Sequence, residues 1–349
     1  MVEEVDPVYV PVLKWRKGEK LALRNLPDQL QKSIIPLIEL VNDEGDDPED
    51  LPNDISKFWR RTAYLDVRYR PKNFARRALD NIVSNNQDID IIPVVSLNSQ
   101  QIIMEGIKNV VGAYNNGFAL RIIIKQDLDF SLFIEEVKLK LKYFAIAKNK
   151  VDLIVDFGYL EGKTQTYKTV LEKIADTISF DDWRNVIVAA GSFPPNLEGF
   201  RPNEDNLLNR TELELWKKNK TICGRNIVYS DYTVRNPDNI SKGFSRGSIS
   251  VRYTLENDFQ VFRGTQEDKP FKYLVHAMNI RELYSDAYSE SYCWGDEAIT
   301  EKANQLKRCL DSGTNPETYG EFSPGNSTGW VAWSVNHHIT VVLKDNLRI

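Results

Sequence analysis

Val10-Pro11-Val12-Leu13-Lys14 is a short apolar run that stops on a polar residue, and seven more short apolar runs follow at intervals of about 25 to 40 residues. They are Ile35-Pro36-Leu37-Ile38-Glu39, Ala63-Tyr64-Leu65-Asp66, Ile92-Pro93-Val94-Val95-Ser96, Phe118-Ala119-Leu120-Arg121, Leu153-Ile154-Val155-Asp156, Val186-Ile187-Val188-Ala189 and Ile227-Val228-Tyr229-Ser230-Asp231. A near-continuous apolar run is what a strand covered on both faces requires. The gaps carry helical rhythm, as in Asn73 to Val83, Asp129 to Tyr143 and Thr166 to Ile178. Strand and helix alternating at this spacing imply parallel pairing through right-handed crossovers. Eight such units close into a TIM-like (β/α)8 barrel, an α/β fold of roughly 250 residues. An open doubly wound sheet is the competitor, but neither G-x-G-x-x-G nor G-K-[ST] occurs here. Pro11, Pro36 and Pro93 sit near the starts of three runs, which suggests equivalent positions in a repeated unit.

Residues 1–235 are expected to form the barrel and 236–349 a C-terminal mixed α+β elaboration packed on it. Ser248 to Thr254 and Phe259 to Arg263 flank a four-residue turn and read as a hairpin. Lys272 to Ser289 and Asp296 to Leu310 read as helices. The stretch from Asp311 to Gly329 reads as a loop, and Ile339-Thr340-Val341-Val342-Leu343 as a closing strand.

The chain has 349 residues, 42% of them apolar and 27% charged, with a net charge of −5. This is a globular composition, and the mild acidity speaks against broad nucleic-acid binding without excluding a local basic cleft. No apolar run is long enough to span a membrane, and the acidic start Met1 to Asp6 lacks a signal core. Three cysteines at irregular spacing, Cys223, Cys293 and Cys309, form no disulfide framework. A reducing, cytoplasmic setting is the simplest expectation.

Function in a barrel sits where the C-terminal strand ends converge. The converging set is Lys14, Glu39, Asp66, Arg68, Ser96, Arg121, Asp156, Ser192 and Asp231. Lys14, Arg68 and Arg121 suit a phosphate or carboxylate. Glu39, Asp66 and Asp156 suit acid–base work or a hard divalent metal such as Mg²⁺. Ser192 and Asp231 complete the set as ligand-binding candidates. Rim ion pairs that serve only structure are the competing reading.

Three distal motifs add candidates. In Cys293-Trp294-Gly295-Asp296, Trp294 could stack on a ligand or anchor the core, and Asp296 reads as a helix cap. In Pro324-Gly325-Asn326-Ser327-Thr328-Gly329-Trp330, Asn326 could help cradle an anion, although a plain turn is commoner. Adjacent His337 and His338, read as strand residues, would face opposite ways and could not share a metal, so zinc is set aside there. One of the two would face a pocket as a proton-transfer group. Tyr69 and Tyr232 are aromatic neighbours of the expected mouth, able to stack or simply to pack.

The opening Tyr9 to Glu19 with Ile35 to Glu39, together with the three distal motifs in this order, resembles the phage-type beta-protein family over nearly the whole chain. The resemblance implies a cytoplasmic phage or bacterial protein, with members near mobile-element or antiviral loci beside nuclease-like partners. It carries no catalytic assignment. Two function classes lead, and a carbohydrate-active barrel, which would need two carboxylates about 5 to 9.5 Å apart in an aromatic-lined groove, is a third reading. One is a mouth that binds a phosphate-bearing ligand, nucleotide or nucleic-acid end, and hydrolyses a phosphodiester. The other is a non-enzymatic sensor or regulatory partner of a nuclease or phage protein.

Overall fold

The computed structural model of the chain describes residues 7–41, 47–85, 89–125, 130–240, 249–283, 289–313 and 323–349. The acidic start, Asp129, Ser248, residues 284–288 of the 272–289 helix reading and residues 314–322 of the 311–329 loop reading lie outside these residues. The chain divides into two compact units. The first comprises Met1–Trp15, Gln31–Phe193 and Thr211–Lys242; the second comprises Arg16–Leu30, Pro194–Arg210 and Gly243–Ile349.

The first unit is a closed barrel of eight parallel strands with surrounding helices, the expected TIM-like α/β architecture. Its strands are β1 (Tyr9–Lys14), β2 (Leu37–Glu39), β3 (Ala63–Asp66), β4 (Ile91–Ser96), β5 (Phe118–Ile123), β6 (Val151–Tyr159), β7 (Val186–Gly191) and an eighth, Val228–Asp231, which pairs with β1 to close the ring. Each of the eight apolar runs overlaps one strand. Helices fall where the rhythm places them, at Lys72–Ser84, Phe130–Phe144 and Tyr167–Ile178.

Side chains alternate along a strand, so one phase fills the barrel. Val10, Val12, Leu37, Tyr64, Val94, Ala119, Ile154 and Ile187 share one buried cluster, which fixes the inward phase. Pro11, Pro36 and Pro93 all lie on the opposite, outward phase. The common placement of the prolines is therefore a shared facing. Gly117, between a helix and β5, has φ +69°, and a Cβ there would lie 1.8 Å from the Lys150 carbonyl oxygen, so only glycine fits that turn.

The second unit has a three-stranded antiparallel sheet in the order Ser250–Thr254, Asp258–Arg263, Leu207–Asn209. Val251, Tyr253 and Phe262 from this sheet share a core with Tyr273 and Ala277 of the helix Lys272–Leu283, Ile299 and Ala303 of the helix Trp294–Asp311, and Trp330. The expected hairpin and both helices are present. The expected closing strand is not: 339–341 complete the helix Ser327–Val341, and 342–346 continue it as a wider turn. The β-branched run misleads because this helix is buried from Ser334 to Val341 on every side. It therefore shows no amphipathic period, and packing overrides strand propensity. Among the described residues no helix is long and apolar enough to cross a membrane.

Candidate functional site

Extending the inward phase to the C-terminal strand ends places Lys14, Glu39, Asp66, Ser96, Arg121 and Asp156 inside the barrel mouth. Register sets their level. Lys14 pairs with Glu39, Glu39 with Asp66, and Ser96 with Arg121 on neighbouring strands.

Two of the aspartates are oriented by one local device. Oδ1 of Asp66 accepts the Arg68 backbone N–H at 3.0 Å, and Oδ1 of Asp156 accepts that of Gly158 at 2.8 Å. The Asp66 turn ends β3, the Asp156 turn falls at the register shift in β6, and both leave Oδ2 pointing inward. Arg121, wholly buried, gathers both free oxygens. Its Nε and Nη2 donate to Asp156 Oδ2 at 3.0 and 2.7 Å, and its Nη1 donates to Asp66 Oδ2 at 2.9 Å. The same Nη1 lies 2.8 Å from Glu39 Oε1, and Nη2 also donates to the Tyr232 hydroxyl at 2.8 Å. Tyr232 in turn donates to Asp156 Oδ2 at 2.7 Å.

Glu39 is the second hub. Oε1 accepts from Arg68 Nη2 at 2.6 Å, and Oε2 accepts from Lys14 Nζ. Lys14 also donates to the Pro237 carbonyl at 2.7 Å, and its ammonium lies 5.0 Å from the Tyr69 ring centre. Arg68 stacks over Tyr69 at 4.6 Å and donates to its hydroxyl at 2.9 Å.

Three cations thus face three carboxylates in one buried network, and the formal charges cancel. Burial alone would raise the Glu39 carboxyl, but Lys14, Arg121 and Arg68 overcome it and hold it at about 2. Burial likewise opposes ionisation of Asp156, and Arg121 followed by Arg68 pulls it below the usual range. Burial lowers Lys14 despite the attraction of Glu39, with Arg121 and Arg68 adding repulsion. Ionised carboxylates held by fixed guanidinium groups are poor proton carriers. They also form no cation cage. Among the described residues, the one group of three or more His, Cys, Asp and Glu side chains whose donor atoms lie within 4.8 Å of one another is Cys293, Asp296 and His337 in the second unit.

The remaining candidates lie elsewhere. Asp231 belongs to the outward phase. It accepts from Tyr9 OH at 2.6 Å, Tyr229 OH at 2.8 Å and the Thr233 backbone N–H at 2.9 Å. Ser192 pairs with the Glu212 carboxylate instead of joining the mouth network. Four candidates fall in the second unit. Asn326 caps the helix Ser327–Val341 by accepting the Gly329 N–H at 3.0 Å. Trp294 opens the helix Trp294–Asp311. His338 pairs with Thr254 Oγ1 at 3.0 Å and stacks on Phe259. His337 lies 2.9 Å from Asp296 Oδ2, and this carboxylate outweighs burial and holds the imidazole well above its usual range. Asp296 is therefore not a cap. Cys293 occupies the N-cap position, and Asp296 turns inward to His337. The histidines lie on a helix, so the opposite-face argument for a strand does not apply to them.

The sequence reading missed Tyr232 as a hydrogen-bonding member, although its inward phase just past the eighth strand was available. It also missed the Pro237 carbonyl and Glu212, for which no sequence signal exists.

The chain belongs to the Beta protein family, whose profile matches residues 9–344. No curated protein matches it. Among solved structures, it is similar to a chain from Escherichia coli K-12 provisionally named an oxidoreductase, at 12% identity and a TM-score of 0.27, covering 66% of this chain and 99% of that one. It is also similar to PhdJ bound to a substrate intermediate, at 7% identity and a TM-score of 0.30, covering 98% of each chain. TM-scores this low carry no inference about function.

Proposed function

We propose that the barrel mouth recognises a phosphate-bearing ligand, a nucleotide or nucleic-acid end, in a cytoplasmic phage-conflict setting, and that it does not itself cleave the phosphodiester. Arg68 is the observation that carries this reading. It is the most exposed of the three cations, with 15% of its side chain accessible against 3% for Lys14 and none for Arg121. Its Nη1 is buried with no hydrogen-bond partner, and its Nε only approaches Asp66 at 3.4 Å. An unspent guanidinium donor suits a phosphate oxygen. Tyr69, half-buried, stacks against this guanidinium and accepts from it, which holds it in place. Recognition is favoured over hydrolysis because Glu39, Asp66 and Asp156 are already neutralised by the three cations. Chemistry on the bound end would then fall to a nuclease-like partner.

Titration calorimetry with inorganic phosphate, mononucleotides and 5′-phosphorylated oligonucleotides tests the reading. Arg68→Gln is expected to weaken phosphate-dependent binding about 10- to 100-fold. Asp231→Asn, on the outward phase, is expected to cost about 2 kcal/mol in urea unfolding and to leave binding unchanged. Equal affinity for phosphorylated and dephosphorylated oligonucleotides would refute phosphate recognition. Turnover with Mg²⁺ or Mn²⁺ that is lost in Asp66→Asn would instead establish the hydrolase.

A further inference from the structure

Cys293, Asp296 and His337 meet because two helices of the second unit approach backbone to backbone. A Cβ on Gly295 would lie 2.4 Å from the Trp333 carbonyl oxygen, so glycine permits this contact. The Gly295 N–H donates to Asn336 Oδ1 at 3.1 Å, and Asn336 Nδ2 donates to the Ala22 carbonyl at 3.0 Å, which fixes the residue next to His337. Three different donor atoms converge there. His337 Nδ1 lies 2.9 Å from Asp296 Oδ2, Cys293 Sγ lies 3.2 Å from the same oxygen, and Sγ lies 3.9 Å from Nδ1. All three side chains are buried.

We infer that Cys293, Asp296 and His337 form a binding site for a zinc-class divalent cation. Zn²⁺ bonded to sulfur, nitrogen and oxygen at ordinary lengths holds those donors about 3.3–3.6 Å apart in tetrahedral geometry. The observed separations need to change by only a few tenths of an ångström. The second shell also fits. His337 Nε2 lies 2.9 Å from the Thr254 carbonyl, which can only accept, so Nε2 carries a proton and Nδ1 is the nitrogen turned to the cluster. A ligating histidine is commonly oriented in this way. Asp296 Oδ1 accepts from Tyr253 OH at 3.1 Å, and the Tyr253 ring stacks on His337 at 4.0 Å.

Charge balance supports the site. With Zn²⁺, a thiolate, a carboxylate and a neutral imidazole sum to zero, so the loaded site carries no net charge, which removes the largest cost of burying an ion. Thiolate and imidazole together select zinc over magnesium or calcium. Three protein donors leave one position for a solvent oxygen or small ligand.

The test uses the full chain purified without chelators. Elemental analysis should find one zinc per chain, removable by chelator and restored by titration. Co²⁺ in its place should give a thiolate-to-cobalt charge-transfer band and tetrahedral d–d bands. Cys293→Ser should abolish the charge-transfer band, and Cys223→Ser should leave it intact. Should Cys293→Ser fail to fold, X-ray absorption on the zinc-loaded parent must show one sulfur among nitrogen and oxygen neighbours. Absence of bound zinc and of the cobalt spectrum, with the His337 imidazole signals unchanged by NMR in excess zinc, would overturn the inference. The site lies outside the mouth network, so its failure leaves the phosphate reading untouched.

Discussion

Arg121→Met is expected to lower the unfolding free energy by about 3–5 kcal/mol, the range for removing one partner from a buried ionic network. The methionine fills much of the arginine volume, so the loss reports charge rather than a cavity. What remains is Glu39, Asp66 and Asp156 facing only Lys14 and Arg68. Asp156 fares worst: it keeps the Tyr232 hydroxyl and the Gly158 N–H but loses both of its guanidinium contacts. Pairing the change with Asp156→Asn restores an equal count of positive and negative groups and should recover about 1–2 kcal/mol, as expected for coupled neighbours. Arg121→Lys should fall between parent and Arg121→Met, because a point charge with three donors cannot bridge three carboxylates as a planar fork does. Urea unfolding monitored by circular dichroism measures all three. A loss below about 1 kcal/mol for Arg121→Met would mean that the network does not hold the mouth together.

The barrel was legible because its physics is local. A strand covered on both faces must be apolar along its length, and the chain must turn polar as it leaves the core. Val10-Pro11-Val12-Leu13-Lys14 shows both in five residues. The mouth was legible for the same reason, and alternation refines it. Phe118-Ala119-Leu120-Arg121 carries the inward phase on Ala119 and Arg121, whereas Tyr229 and Asp231 are out of phase with it. Asp231 entered the site because its strand-end position was weighed and its phase was not. That the charges cancel one another was not legible. Arg121 meets Glu39 from three strands away, at a distance set by barrel diameter and side-chain reach. The second unit was hardest to read. Its last helix is buried all round and so loses the period that identifies a helix, which misplaced His337 and His338. The meeting of Cys293 with His337, 44 residues later, depends on the helix contact at Gly295, and no local pattern encodes it.

Acidification should reveal the mouth network as a loss of stability confined to a low pH window. The unfolded chain protonates Glu39 near the ordinary value of 4.5, whereas the folded chain resists until about 2. Between these values the unfolded state binds the extra proton, so stability falls as pH falls. The difference corresponds to about 3 kcal/mol, fully present above pH 4.5 and gone below about 2. Asp156 is shifted in the same direction and steepens the fall. A second group must be separated from this. Burial, helped by repulsion from Lys272, depresses His276 to about 4, so its contribution is lost across the higher window from 6.5 to about 4. Glu39→Gln distinguishes the two. The variant should be about 3 kcal/mol less stable than the parent at pH 7. It should follow the parent's slope above pH 4.5, lose less below it, and approach the parent's curve near pH 2. Urea unfolding at half-unit pH steps measures both curves. Parallel curves down to pH 2 would show that Glu39 is not held ionised by its three cations, and the charge-cancelled mouth would fail with it.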